Sequence, residues 1–341
     1  MQRSTLTLLT LLGAFALLIW LAPVAVLTGF GGILTAVALR SLALPIARRT
    51  PLNEATSVLA VSLLILLLAA AGVWLAAEAL MEEARQFAQR LPEAWQAAST
   101  RLRDLPGGAW IIEQIPSAGE LGDAAGGAAR TALAGLSGAL GGLGTFVLIL
   151  LLGVYLAADP ATYRRGLLRL LAPSLRLRAA RTLYATADTL RGWLLGQAFA
   201  MMVTGMLTFL GLWLLGVPLA GLLAVLSALF GFVPYVGPIV GGVPAVLIAL
   251  GQDPSLVPWV VGLVLLVQNV EGNILTPLVQ QRSADIPPAL LLGAQLLFGG
   301  GLGILGVVLA APVAAALVTA VRVGYVEAWV EPPDEEPAPT G

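Results

Sequence analysis

The sequence predicts an all-α, polytopic membrane protein of about eight transmembrane helices, two of its hydrophobic stretches being discontinuous or re-entrant. Three observations carry that expectation. Hydrophobic residues make up 58% of the 341 and charged residues only 11%, and the mean hydropathy is +0.92, well outside the range of a soluble domain. The apolar residues lie in long runs, several of them near the ~20 residues that carry a helix across a bilayer. Finally, the run 217–250 (VPLAGLLAVLSALFGFVPYVGPIVGGVPAVLIAL) is too long for one straight span and is interrupted by Phe232-Val233-Pro234-Tyr235-Val236-Gly237-Pro238. Proline donates no backbone hydrogen bond and disfavours helix in the residue before it. In lipid, main-chain groups freed by such a break must be satisfied by protein or by a water-lined cavity. A broken helix at membrane depth therefore points to a transport site.

Residues 6–22 form the first span, read as retained and not as a cleaved leader, because hydrophobic chain continues to Leu39 with no small-residue cleavage site. Pro23 starts the second. The connection 40–56 carries Arg40, Arg48 and Arg49 against Glu54, which places it and the N-terminus in the cytoplasm by the positive-inside rule. Residues 57–77 form the third span and complete a first region, 1–77. The segment 78–142 holds five arginines and eight acids, and is expected on the extracytoplasmic side. Its Leu80, Ala84, Phe87, Leu91 and Trp95 recur at helical spacing, with Glu82, Glu83, Arg85, Gln89 and Arg90 elsewhere, so it reads as an amphipathic helix packing on its own bundle, on another subunit, on the membrane surface or on a partner. A loop follows at 104–120, then a Gly/Ala-rich stretch whose small residues suit close helix approach.

The region 143–328 completes the membrane domain. Its fourth span covers about 143–158. The linker 159–192 carries seven arginines and two acids, the strongest cytoplasmic signal in the chain, and its leucines beside Arg164, Arg165 and Arg169 suit a helix at the lipid interface. The fifth span is roughly 193–215, the broken run is the sixth, and 256–279 is the seventh. The last stretch, 289–322, is again too long and is interrupted by Phe298-Gly299-Gly300-Gly301. Phe230 and Phe298 each stand fourteen residues before a proline, Pro244 and Pro312, a spacing that hints at a pseudo-repeat. The acidic, proline-rich tail 329–341 reads as disordered. Both termini fall on the cytoplasmic side of the membrane.

Composition excludes several functions. Cysteine and histidine are absent and all 18 basic residues are arginine, which removes disulfides, thiol chemistry and the lysine of a P-loop. Gly135-Leu136-Ser137-Gly138 matches the serine motif of rhomboid-type proteases, but that chemistry needs a histidine base. The aspartates Asp159, Asp188, Asp253 and Asp285 fall at span ends or in loops, so no intramembrane aspartate pair exists. The chain reads as a non-enzyme without cofactor or metal. Its net charge of −1 leaves no basic field for nucleic acid.

The candidate site centres on Glu271, an acid within the seventh span. A charged group at the bilayer centre is penalised by about 2.5–3.5 kcal/mol on insertion scales and marks an ion or solute path by default. Gln268 precedes it by a turn, and Asn269, Asn273 and Thr276 lie along the other flank, followed by Pro277. This polar arc suits a proton or cation site, or hydrogen bonds to a polar solute; the bland alternative is a clasp between helices. Pro234, Tyr235, Gly237, Pro238, Gly241, Gly242, Gly299, Gly300, Gly301, Gly303 and Pro312 are the expected helix-break and pore-lining positions.

GWLLGQ (192–197), the run 215–250, VQNVEGNILTPLVQ (267–280) and PPALLLGAQLLFGGGLGILGVVLAAP (287–312) together resemble the autoinducer-2 exporter family of PerM-like permeases. The resemblance extends over about Tyr155–Arg322. It implies eight spans, a homo-oligomer in the inner membrane and transport of small molecules, with export of autoinducer-2 and sodium/proton antiport both associated with members. Asp159 matches the family's acid after the fourth span, but the lysine that often accompanies it is absent. The leading expectation is a proton- or sodium-driven exporter of small polar solutes; the alternatives are a monovalent cation/proton antiporter and a non-transporting membrane scaffold.

Overall fold

The structure is a computed structural model that describes residues 13, 17–103, 139–234, 236–280 and 286–330. Among these, every regular element is helical, and five helices are long and apolar enough to cross a membrane, or six if one bent pair counts as a span. The chain is an all-α, multi-pass membrane protein. Most of the first expected span, the stretch 104–138 with its loop and its serine motif, Tyr235, and the tail from 331 lie outside the described residues.

Helix α1 (Pro23–Arg49) opens with Pro23 in its first turn and closes on Arg48 and Arg49, matching proline's fixed φ and the negative carbonyl end of the helix dipole. Asn53 starts α2 (Glu54–Arg103) by accepting the Thr56 N–H at 2.8 Å. The third span and the start of the amphipathic segment are thus one 50-residue helix. At the junction, LAAEALMEEARQ changes polarity but not helix propensity, so the backbone runs on. Helices α3 (Ala139–Ala158) and α4 (Pro160–Arg169) meet at 87°. The bend is local chemistry: Pro160 drives Asp159 to φ −139°, and the Asp159 carboxylate caps α4 by accepting from Thr162 N–H and Oγ1–H at 3.2 and 2.5 Å. Those bonds, first that of the hydroxyl and then that of the amide, hold the exposed Asp159 carboxyl below its usual range. Helix α5 (Pro173–Leu214) merges the end of the arginine-rich linker with the fifth span.

The sixth stretch breaks within the expected segment, into α6 (Ala220–Phe230) and α7 (Val236–Gln252). Helix α8 (Val257–Val270) passes through a π-helical turn, Glu271–Leu275, into α9 (Thr276–Gln280). The widened turn ends just before Pro277, whose ring would press on a carbonyl four residues back in regular helix. Helix α10 (Pro288–Val321) contains one non-helical residue, Gly303 at φ 63°, ψ −148°. The break is therefore two residues beyond the expected Gly299–Gly301 run, at the glycine whose backbone is left-handed. It is a sharp bend: a Cβ on Gly306 would strike the Phe298 carbonyl, and one on Gly299 would come within 2.7 Å of Val307. Residues eight apart in straight helix are about 12 Å apart.

The chain divides into two compact units, residues 1–64, 147–195 and 279–341, and residues 65–146 and 196–278. In the first, one core is built by Ala36, Leu39, Ala43, Val58, Val61 and Ala157, and a second by Leu27, Leu34, Leu190 and Leu309. The buried residues of α10 begin at Gly306, so its second arm carries the packing. Arg40 joins elements here, donating to the Ala157 carbonyl at 2.9 Å and to Glu54 at 2.6 Å. In the second unit, Leu212, Val217, Leu219, Leu223, Ala245, Ile248, Ala249 and Val260 form one core.

Helices α1 and α3 approach through Gly32 and Gly153; a Cβ on Gly153 would lie 2.6 Å from Thr35 Cβ. Gly153→Val should lower stability by about 1–3 kcal/mol, as overpacking does, read as an earlier thermal transition of the detergent-solubilised protein. An unchanged transition would mean that the two helices separate without loss.

Candidate functional site

The second unit holds a partly open cavity of about 20 Å³ lined by Thr204, Thr208 and Leu212 of α5, Ser227 of α6, Gly237, Gly241, Gly242 and Ala245 of α7, and Leu263, Val264, Val267 and Gln268 of α8. Its size suits one water or one small ion, and a site that holds a water needs two to four polar partners. Most of the lining surface is apolar, and Thr204, Thr208, Ser227 and Gln268 are the residues that bring hydroxyl and amide groups to it. Thr204 and Thr208 are four residues apart on one face of α5 and both are buried, as is Ser227. Close approach of the helices makes the cluster. A Cβ on Gly205 would lie 2.9 Å from Ala228, one on Gly242 would lie 3.0 Å from Val264, and one on Gly241 would collide with the Ser227 hydroxyl. Small residues at helix contacts let backbones approach in this way.

Glu271 follows Gln268 by three residues and Val267 by four, so all three share a face of the seventh span. Its side chain is partly buried, and Oε2 is buried without a hydrogen-bond partner among the described residues. The other members of the expected arc stand apart. Asn269, Asn273 and Thr276 are exposed and use their polar groups within their own helix. Asn269 donates to Leu265 O at 2.8 Å, Asn273 donates to Asn269 Oδ1 at 3.2 Å, and Thr276 donates to Glu271 O at 2.8 Å. Thr276 thereby closes the π-turn that begins at Glu271. The structure separates an inward pair, Gln268 and Glu271, from an outward ladder.

Of the helix-break positions, Gly237, Gly241 and Gly242 line the cavity. Pro234 is half-buried in the turn, and Pro238 falls in the first turn of α7. Tyr235 lies outside the described residues. Pro277 is exposed just after the π-turn. Gly299, Gly300, Gly301, Gly303 and Pro312 belong to the other unit, where Gly303 makes the bend and Pro312 is buried. No group of three or more Asp and Glu side chains suited to a metal ion occurs among the described residues.

The pocket also draws on residues the sequence reading passed over. Thr204 and Thr208 carried a signal, two hydroxyls one turn apart in an apolar span. Gln197, within the GWLLGQ motif, donates to Gly231 O at 2.7 Å at the end of α6. Glu83, 139 residues away, accepts the Leu222 N–H at 2.6 Å near its start.

Fold and site together define a multi-pass α-helical membrane protein with a small pocket built against a broken helix. It belongs to the AI-2E family of transporters, whose family model matches residues 8–325. Relatives include two Bacillus subtilis proteins, named "Putative transport protein YrrI" and "Putative transport protein YueF". The first is 32% identical over 163 residues, 48% of this chain and 46% of that one. The second is 31% identical over 161 residues, 47% of this chain and 43% of that one. A third relative, from Borreliella burgdorferi and also named as a "Putative transport protein", is 35% identical over 113 residues, 32% of this chain and 31% of that one. The matched segment thus spans less than half the length of these curated relatives.

Gly241→Ala would put a methyl group on the Ser227 hydroxyl and must displace α6 or α7. Loss of about 1–3 kcal/mol of stability is expected, together with closure of the cavity. Gly262→Ala, where a Cβ meets nothing within 4 Å, should be silent in the same melting experiment.

Proposed function

We propose that the chain is a permease that exports small polar solutes, an autoinducer-2-like signal or related metabolite, under a proton or sodium gradient, with the pocket beside Glu271 as the coupling-ion site. One observation carries the reading: a carboxyl oxygen in the seventh span is buried and unpartnered, a turn from Gln268, which with Thr204, Thr208 and Ser227 brings polar groups to an otherwise apolar cavity. A bare carboxylate there is unfavourable; a bound proton or a small cation relieves it. The cavity's size decides which cargo it takes. Sites for small organic molecules occupy about 300–1,000 Å³, so about 20 Å³ admits a cation or water and no metabolite. The solute itself would need a more open arrangement, which the glycine-lined contact of α6 and α7 supports. A cavity of that size also favours a second reading, monovalent cation/proton antiport through Glu271. In either case the protein works as a homo-oligomer in a bacterial inner membrane, its termini cytoplasmic.

Reconstituted protein tests this. In proteoliposomes under an imposed proton or sodium gradient, Glu271→Gln should abolish gradient-driven flux by at least tenfold, whereas Asn269→Ala, on the exposed face, should change it less than twofold. If Glu271→Gln loses only cation-driven pH change and keeps solute flux, antiport replaces solute export. Unaltered solute and cation flux in Glu271→Gln removes the carboxyl from the mechanism.

A further inference from the structure

The half-helix α6 is anchored from outside its own stretch. The first amides of a helix have no intrahelical partner, and a Ser, Thr, Asp or Asn at the N-cap commonly serves them. Here the N-cap is Leu219, whose side chain makes no capping bond and whose backbone is left-handed at φ 62°. The missing acceptor is the carboxylate of Glu83, which takes the Leu222 N–H at 2.6 Å. It stands at the positive end of the α6 dipole, where an anion is favoured. Both its oxygens lie 3.3 Å from the place a Cβ on Gly221 would occupy, so a side chain at residue 221 would press the carboxylate away by a few tenths of an ångström. Four residues on, and therefore on the same face of α2, Phe87 packs against the core that includes Leu212, Leu219 and Leu223. At the opposite end of α6, the Gln197 amide donates to the Gly231 carbonyl at 2.7 Å. Carboxylate at the amide end and N–H donor at the carbonyl end fix both the rotation and the axial position of an eleven-residue helix whose buried Ser227 lines the pocket.

We propose that Glu83 is a positioning residue for the pocket: the part of α2 beyond its candidate span sets, through this carboxylate, where α6 holds the Ser227 hydroxyl, and displacement of that arm is transmitted to the site. The proposal rests on the reading of the pocket as the coupling site. It makes α2 more than a span with a surface extension. The carboxylate substitutes for the solvent that would otherwise have to serve the exposed amides of a helix start among apolar residues.

The absence of cysteine makes Ser227→Cys a single reporter thiol. Its rate of reaction with silver ion, a thiol reagent of the size the pocket admits, is measured on full-length protein in proteoliposomes from the thiol left free after unfolding, with Ser255→Cys, in the exposed turn before α8, as a control. Adding Glu83→Ala should change the rate at position 227 at least fivefold, Glu83→Gln by an intermediate factor, and Glu83→Asp least, with the control unmoved. Gly221→Ala, which crowds the carboxylate without removing it, should move the rate in the same direction and carries the test if Glu83→Ala fails to fold. A position-227 rate within twofold of the parent's in both Glu83→Ala and Gly221→Ala overturns the proposal while leaving the pocket reading intact. If the thiol is unreactive in every background, including the parent, the pocket is dry, and the coupling-site reading fails together with this one.

Discussion

The structure turns on the main-chain groups released where the sixth hydrophobic stretch breaks. An α-helix leaves four amides and four carbonyls unsatisfied at its ends, and among apolar residues each such group is costly when unpaired. A stretch cut into helices of 11 and 17 residues doubles the number of ends. The second unit answers by bringing polar side chains to them, Glu83 to the amide end of α6 and Gln197 to its carbonyl end. Nearby, Gln252 donates to Gly216 O at 3.2 Å, which serves the turn before α6. Glu83, Gln197 and Gln252 thus stand where the backbone has lost its own partners.

That gathering also makes the pocket. Once α6 is held at both ends, Ser227 faces Thr204, Thr208 and Gln268 across a space kept open by Gly241 and Gly242. A cavity this small has room for a water or a small ion. Glu271 adds the one acidic group on the same face of α8. The π-turn it begins is the local distortion that lets the helix pass Pro277, and distortions of this type often accompany functional sites.

The first unit uses the same materials for a different end. Its glycines make contact, as Gly32 and Gly153 do between α1 and α3, or curvature, as Gly303 does in α10. Its buried polar bonds, Arg40 to Ala157 O and Thr319 to Thr189 at 3.1 Å, tie helices together. No acid within its spans parallels Glu271 among the described residues. The fourteen-residue echo between Phe230–Pro244 and Phe298–Pro312 therefore sits on two unlike geometries: a turn between separate helices, and a single glycine bend.

The sequence alone determined the membrane-spanning helical class, the sites of interruption to within a few residues, and Glu271 as the unusual acid, because these follow from local composition: lipid demands long apolar helices, proline and glycine interrupt them, and a lone carboxylate stands out against leucine. Periodicity could also say that Gln268 and Glu271 share a face. It could not say that Asn269, Asn273 and Thr276 would bond along their own helix, since that depends on what packs opposite them. Nor could it show that α2 and α5 each run unbroken from span into extension, because polarity changes there while helix propensity does not. Tertiary structure decided the partners, Thr204 and Thr208 with Ser227, and Glu83 with Leu222. Those pairings join residues up to 139 positions apart, and no local pattern encodes which helix start a distant carboxylate will cap.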